Sequence, residues 1–145
     1  MESRENRPDC TIFLLAKAYQ KGHSLLKSRL RKYNLTNMQH LVLEGIWFKE
    51  GCTAAEMGRL LVLDKATISG VIDRLMTGNW IRKTEDSDDK RSNRLYPSDK
   101  ATKLKSELLT ERKIANEELL SQFSFEERVL FKRLLWELLD IDKTK

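Results

Sequence analysis

The chain is short of the residues that carry most catalysis and metal binding. It has two cysteines and two histidines in 145 residues. Cys10 and Cys52 match no zinc or redox spacing, and a pair of cysteines makes no disulfide framework. There is no Gly-rich phosphate loop and no nucleophile motif, so an enzyme has little support, and neither a cofactor nor a metal is expected. No apolar run approaches the roughly 20 residues that cross a bilayer. The opening stretch MESRENRPD is charged throughout, so no secretory signal is expected there. These absences suggest a cytoplasmic, reducing compartment. Repeats and low-complexity tracts are missing too.

What remains is a helix-rich, highly charged chain the size of one domain. Hydrophobic residues make up 40% and charged residues 34%, which suits a folded rather than a disordered protein. The net charge of +5 and a pI near 9.2 favour an acidic partner, nucleic acid first and an anionic membrane second.

Helical periodicity predicts a long first helix over residues 12–32, with Leu14, Leu15, Ala18, Leu25, Leu26 and Leu30 on its apolar side. Its charges are all basic: Lys17, Lys21, Lys27, Arg29, Arg31 and Lys32. Thr36 to Gln39, Thr53 to Glu56 and Ser124 to Glu127 each fit a capping box, in which a hydroxyl and a longer side chain three residues on satisfy each other's backbone amides. They predict the starts of a second, a third and a sixth helix. Asp64 stands at the N-cap of a fourth helix, whose apolar stripe is Ile68, Val71, Ile72, Leu75 and Met76, and Gly78 ends it. Residues 80–84 and 93–96 read as two strands of a hairpin. After Pro97, Ser98 or Asp99 caps a fifth helix running to about residue 122.

The third and fourth helices, joined through residues 61–64, have the anatomy of a helix-turn-helix. The inward stripe leaves Lys65, Ala66, Thr67, Ser69, Gly70, Asp73 and Arg74 free. Small residues let a backbone approach the major groove closely, and short polar tips then reach base edges. Thr67 and Ser69 are the candidate base readers, Ala66 or the Thr67 methyl can touch a thymine methyl, and Lys65 suits a phosphate. A hairpin following at once makes the unit a winged helix. Lys90 and Arg91 at its tip can lie along a backbone or enter a minor groove. Asp89 can hold that tip by bonding the turn or by pairing with a base such as Arg74, whereas Asp86 and Asp88 read as solvated turn residues. Arg94, on the second strand, joins the candidate DNA contacts.

In this order and spacing the chain resembles the MarR-type transcriptional regulators over nearly its whole length. The wing pattern Asp-x-Arg is present as Asp89-Lys90-Arg91, and Asp73-Arg74-Leu75 and Gly78 also sit as in that family. Pro97-Ser98 replaces the usual Leu-Thr, and Ala101 stands where glycine is common. The resemblance implies a mainly α fold with a small β-hairpin wing, one domain spanning 1–145. The winged helix-turn-helix would occupy about 36–97 and the dimerisation helices about 11–32 and 98–141. It further implies a homodimer on a pseudo-palindromic operator, most often a repressor released by a phenolic or aromatic acid. The apolar residues Leu104, Leu108, Leu119 and 129–139 suit either a dimer surface or packing inside one chain. Tyr19, His23, Met38, His40 and Trp47 are candidates to line an effector pocket, beside a basic first helix that would draw a carboxylate. Trp47 also suits the core. Cys10, near the start of the first helix, is the candidate for an alternative, oxidation-driven response. A winged helix that binds protein instead would favour large apolar residues where Lys65, Thr67 and Ser69 stand.

Overall fold

The structure is a computed structural model that describes residues 7–140. In chain order it contains α1 (Thr11–Leu30), a 3-10 turn (Arg31–Tyr33), α2 (Asn37–Phe48), β1 (Cys52–Thr53), α3 (Ala54–Leu61), α4 (Lys65–Thr77), β2 (Ile81–Glu85), β3 (Asn93–Pro97), α5 (Asp99–Leu119) and α6 (Phe125–Leu139). Among the described residues no helix is long and apolar enough to cross a membrane.

Local chemistry sets most boundaries. All three capping boxes form, at Thr36, Thr53 and Ser124. Asp64 and Ser98 cap α4 and α5 with their side chains. α1 stops earlier than its periodicity predicts, because Asn34 turns the chain through the left-handed region (φ 56°) and sends Leu35 inward, where it is buried. α5 also ends a few residues short of the expected 122, at Leu119. One element was not anticipated. β1 is a two-residue strand pairing antiparallel with β3, Cys52 opposite Leu95, which gives a three-stranded sheet of order β1-β3-β2. Two residues carry no periodicity, so only the tertiary pairing defines this strand.

The core gathers α2, α3 and α4 over the sheet. Ile68, Val71, Ile72 and Leu75 of α4 are buried with Val42, Leu43 and Ile46 of α2, Met57 of α3 and Leu95 of β3. Each such side chain contributes about 1.5–3 kcal/mol on leaving water. The acid-free α1 finds its counter-charges on α5. Glu111 accepts from Arg29 at 2.8 Å and Lys32 at 2.9 Å, and Glu118 from Arg29 at 2.9 Å. These bonds hold the Glu111 carboxyl below its ordinary range and raise both bases. Leu108 is wholly buried inside the monomer, while α6 buries none of its residues.

Where α4 meets α5 the backbone is strapped. Asn79 takes a left-handed turn (φ 60°), and Ser98 donates its hydroxyl to the Asn79 carbonyl (2.8 Å) and its amide to the Trp80 carbonyl (2.9 Å). Lys100 donates to the last carbonyl of the α4 cap, Gly78, at 2.7 Å while its ammonium lies 4.0 Å over the Trp80 ring.

His40 is also wholly buried. Its Nε2 lies 2.9 Å from the Leu108 carbonyl, and the Arg112 Nε donates to its Nδ1 at 3.1 Å. Arg112 also pairs with Glu44 at 2.9 Å. Both ring nitrogens are therefore satisfied only in the neutral form with the proton on Nε2. Burial first, and the Arg112 charge second, lower its pKa from 6.5 to about 4. The unfolded chain thus binds a proton that the fold refuses. The stability His40 contributes is complete above about pH 6.5 and declines as the pH falls towards 4, by about 3 kcal/mol in all. Thermal melts taken between pH 7 and pH 4 should show this decline, and His40→Gln should flatten it within that window.

Candidate nucleic-acid interface

The connection between α3 and α4 is tight. Val62 caps α3 in the left-handed region (φ 56°), and the Leu63 amide bonds the Gly58 carbonyl at 2.8 Å. Asp64 then starts α4, accepting from the Thr67 amide at 2.7 Å and from the Thr67 hydroxyl at 3.0 Å. With the stripe of α4 turned inward, Lys65, Ala66 and Ser69 are exposed, and Gly70 has open space where a side chain would begin. Arg74 follows on the exposed side.

The wing stands beside this face. Asp89 accepts from the Arg91 amide at 3.0 Å and faces the Ser92 hydroxyl at 3.4 Å, so it shapes the tip through the backbone. Pairing with Arg74, the other expectation for Asp89, does not occur. Lys90 and Arg91 remain exposed, with no carboxylate partner among the described residues. Between α3, α4 and the wing lies a cleft of about 1010 Å³ whose walls carry Arg59, Lys65, Lys83 and Arg91, along with Ser69 and the acids Asp64 and Asp73.

Two wing residues depart from expectation. Asp86 is buried rather than solvated: one oxygen accepts from the Asp88 amide at 3.1 Å and the other pairs with Arg94 at 3.1 Å. The second arm of Arg94 donates to the Gly51 carbonyl at 2.8 Å. Its guanidinium is thereby spent on tying β3 to the wing turn and to the loop before β1, and it is not held out towards a ligand. The spacing of 86 and 94 across a hairpin was the signal available for this pair, since the strand register brings the two ends of the turn together.

A second cavity, about 580 Å³, lies between α1, α2, α5 and α6. Of the five predicted pocket residues it brings together Tyr19, His23 and Met38. His40 and Trp47 lie outside its lining, because both point into the core. The cation in its wall is Arg112 of α5, not a base of α1. No spacing in the sequence could have found it, as it arrives through the α1–α5 packing. The Asn37 side-chain amide donates to the His23 carbonyl at 2.9 Å, and its buried oxygen has no partner. Cys10 is exposed at the start of α1, where the Phe13 and Ile12 amides draw its thiol pKa below the ordinary value. Cys52, the other thiol, is buried, and burial pushes its pKa up. No cluster of three metal-ligating side chains occurs among the described residues.

A capped helix-turn-helix with an exposed small-residue face and an adjoining wing defines the winged-helix class of regulators. Similarity to known proteins narrows this class. Residues 35–92 match the MarR family. The chain is 30% identical to the HTH-type transcriptional regulator TtmR of Methylorubrum extorquens over 67% of its own length, and it spans about half (48%) of that relative. Its fold is similar to that of a MarR mutant from E. coli complexed with operator DNA, with a TM-score of 0.81, 22% identity and coverage of 87% and 91% of the two chains. It is similar as well to BpsR of Bordetella bronchiseptica, whose DNA binding is regulated by 6-hydroxynicotinic acid, with a TM-score of 0.84, 21% identity and coverage of 97% and 98%. The chain belongs to the MarR family of transcriptional regulators.

The wing tie has a measurable weight. Asp86→Ala leaves Arg94 half-paired and frees the turn, so unfolding free energy should drop by about 1–2 kcal/mol, read by denaturant titration. Amide exchange should accelerate at Asp88 and Ser92.

Proposed function

We propose that this chain is a homodimeric repressor that reads operator DNA and is released by a small aromatic acid. The observation that carries the DNA reading is the cleft with cations on both walls, Arg59 and Lys65 on the helical side and Lys83 and Arg91 on the wing. Such a channel suits one phosphate strand passing between a helix in the major groove and a wing in the minor groove. Lys65, Arg74 and Lys90 then add phosphate contacts, while Ala66, Thr67, Ser69 and Gly70 face base edges. Asp89 shapes the tip that presents Arg91, and Arg94 supports the wing from behind.

Dimerisation is favoured by α6 and the start of α1. Val129, Leu130, Leu134 and Leu138 are each about half exposed, and Ile12 is 79% exposed. A patch of this kind on a monomer suits an interface. Leu108 is excluded from that surface by its burial, and Leu104 packs against the core from its edge. Two lobes would read half-sites roughly 10 bp apart or a multiple of that.

For the effector, the 580 Å³ cavity offers apolar walls, the Tyr19 and His23 rings and one guanidinium, Arg112, which suits a flat carboxylate. Arg112 also touches His40 and Glu44 of α2, so a carboxylate drawn to it would pull on the helix that underlies the winged lobe. Oxidation sensing through Cys10 is the weaker reading, because no second exposed thiol stands among the described residues to close a disulfide.

Titration of a selected operator against salt should give a steep fall, with a log–log slope near −0.9 for each phosphate neutralised. Arg91→Glu should weaken binding to every duplex by on the order of tenfold or more, whereas Ser69→Ala should change mainly the preferred sequence. Retained affinity in Arg91→Glu would remove the wing from the interface. In the same assay millimolar 4-hydroxybenzoate should loosen the wild-type complex. Met38→Trp, which fills the cavity, should bind DNA normally and ignore the acid.

A further inference from the structure

In the first turn of α4, on the face turned from the core, one hydroxyl has its hydrogen already committed to a side chain. Asp64 receives both the Thr67 amide, at 2.7 Å on Oδ1, and the Thr67 hydroxyl, at 3.0 Å on Oδ2. These two bonds, the amide first, hold the Asp64 carboxyl below its ordinary range, so it is ionised at neutral pH. An ionised carboxylate accepts and never donates, which leaves the Thr67 hydroxyl as the donor in the second bond. Its Oγ1 therefore faces outward with lone pairs alone. Ser69, two residues on, has no such partner among the described residues, and its hydroxyl can rotate to give or to take.

A fixed polarity has a consequence in the major groove. The only hydrogen-bond donors on base edges there are the exocyclic amines, N6 of adenine and N4 of cytosine, while guanine and thymine present acceptors. We propose that Asp64 is a positioning residue that makes Thr67 an acceptor-only reader, selecting at one base pair per half-site the orientation that brings an adenine N6 or cytosine N4 amine to Oγ1. This rests on the DNA-binding reading above and adds a rule to it. A guanine O6 or thymine O4 in that place would meet lone pair against lone pair, with no rotamer to relieve it while the carboxylate holds the hydrogen.

The rule separates a positioning role from simple helix capping. In Asp64→Asn the amide oxygen still accepts the Thr67 N–H, so the cap survives. The new NH₂ group, however, donates to Oγ1, and the Thr67 hydrogen is released towards the groove. Thr67→Val keeps the shape and removes the acceptor.

The test uses the full chain of the wild type, D64N and T67V. An operator is first selected by the wild type from a randomised duplex pool, and affinities are then measured for every single base-pair change, with circular dichroism melts to show that all three proteins are folded. One position per half-site should exist at which reversing the base pair, so that the amine crosses the groove, weakens wild-type binding roughly tenfold. T67V should level the preference at that position and nowhere else, and D64N should level or reverse it. A uniform loss of affinity in D64N, with every preference unchanged, would overturn the proposal by reducing Asp64 to a cap. So would a T67V protein that keeps the wild-type preference at all positions. A wild type that selects no sequence from the pool would instead sink the DNA-binding reading on which this one stands.

Discussion

Everything the two exposed faces present depends on the burial of one apolar stripe. Ile68, Val71, Ile72 and Leu75 leave water together against α2, α3 and the sheet, and that choice of face decides which residues of α4 look outward. Rotating α4 by a single residue position, about 100° around its axis, would turn part of the stripe to solvent and drive Lys65 or Arg74 inward. Either change costs several kcal/mol, from lost apolar burial and from stranded charge. The orientation of the small polar face is thus a by-product of packing, and the wing is set beside it by the same core, through Leu95 and Ile81.

Polar groups refine what the core fixes. Two of the acids among the wing's bases have an assigned partner: Asp86 closes the turn and holds Arg94, and Asp89 shapes the tip through a backbone amide. Because they are satisfied internally, their charge is not aimed at Lys90 and Arg91, which stay available. The body uses charge differently. There α1 supplies only bases and α5 the acids Glu111 and Glu118, so the two long helices recognise each other in register. A basic helix met alone in a sequence suggests an acidic partner outside the chain, and here much of that partner is inside it.

The legible parts of the chain were those governed by local rules. Three capping boxes, the Asp64 cap, the α4 stripe and the hairpin follow from neighbours a few residues apart, and the structure has them, except that Met76, expected in the stripe, is exposed at its edge. What escaped was set by distance in sequence. β1 exists only because Cys52 meets Leu95, and Arg112 enters the cavity wall from another helix. His40 was legible as a polar residue near the effector region but not as a buried one, since its satisfaction depends on Leu108 and Arg112, some 70 residues on. Arg94 reads from sequence like any exposed wing base unless its place across the hairpin from Asp86 is weighed, and its bond to Gly51, 43 residues away, is set by the fold alone.

The strap at Gly78 to Lys100 makes α4 and α5 behave as one bent lever. The α4 cap carbonyl, the left-handed step at Asn79 and the first turn of α5 are stitched by three hydrogen bonds and a stacked ammonium, with no slack residue between them. A tilt of α5 at the far end, where Arg112 and Leu119 border the cavity, therefore has no hinge in which to dissipate before it reaches the tip of α4. In a two-fold assembly such levers work like the arms of a pair of calipers, and a few degrees at the pivot would change the gauge that the jaws measure.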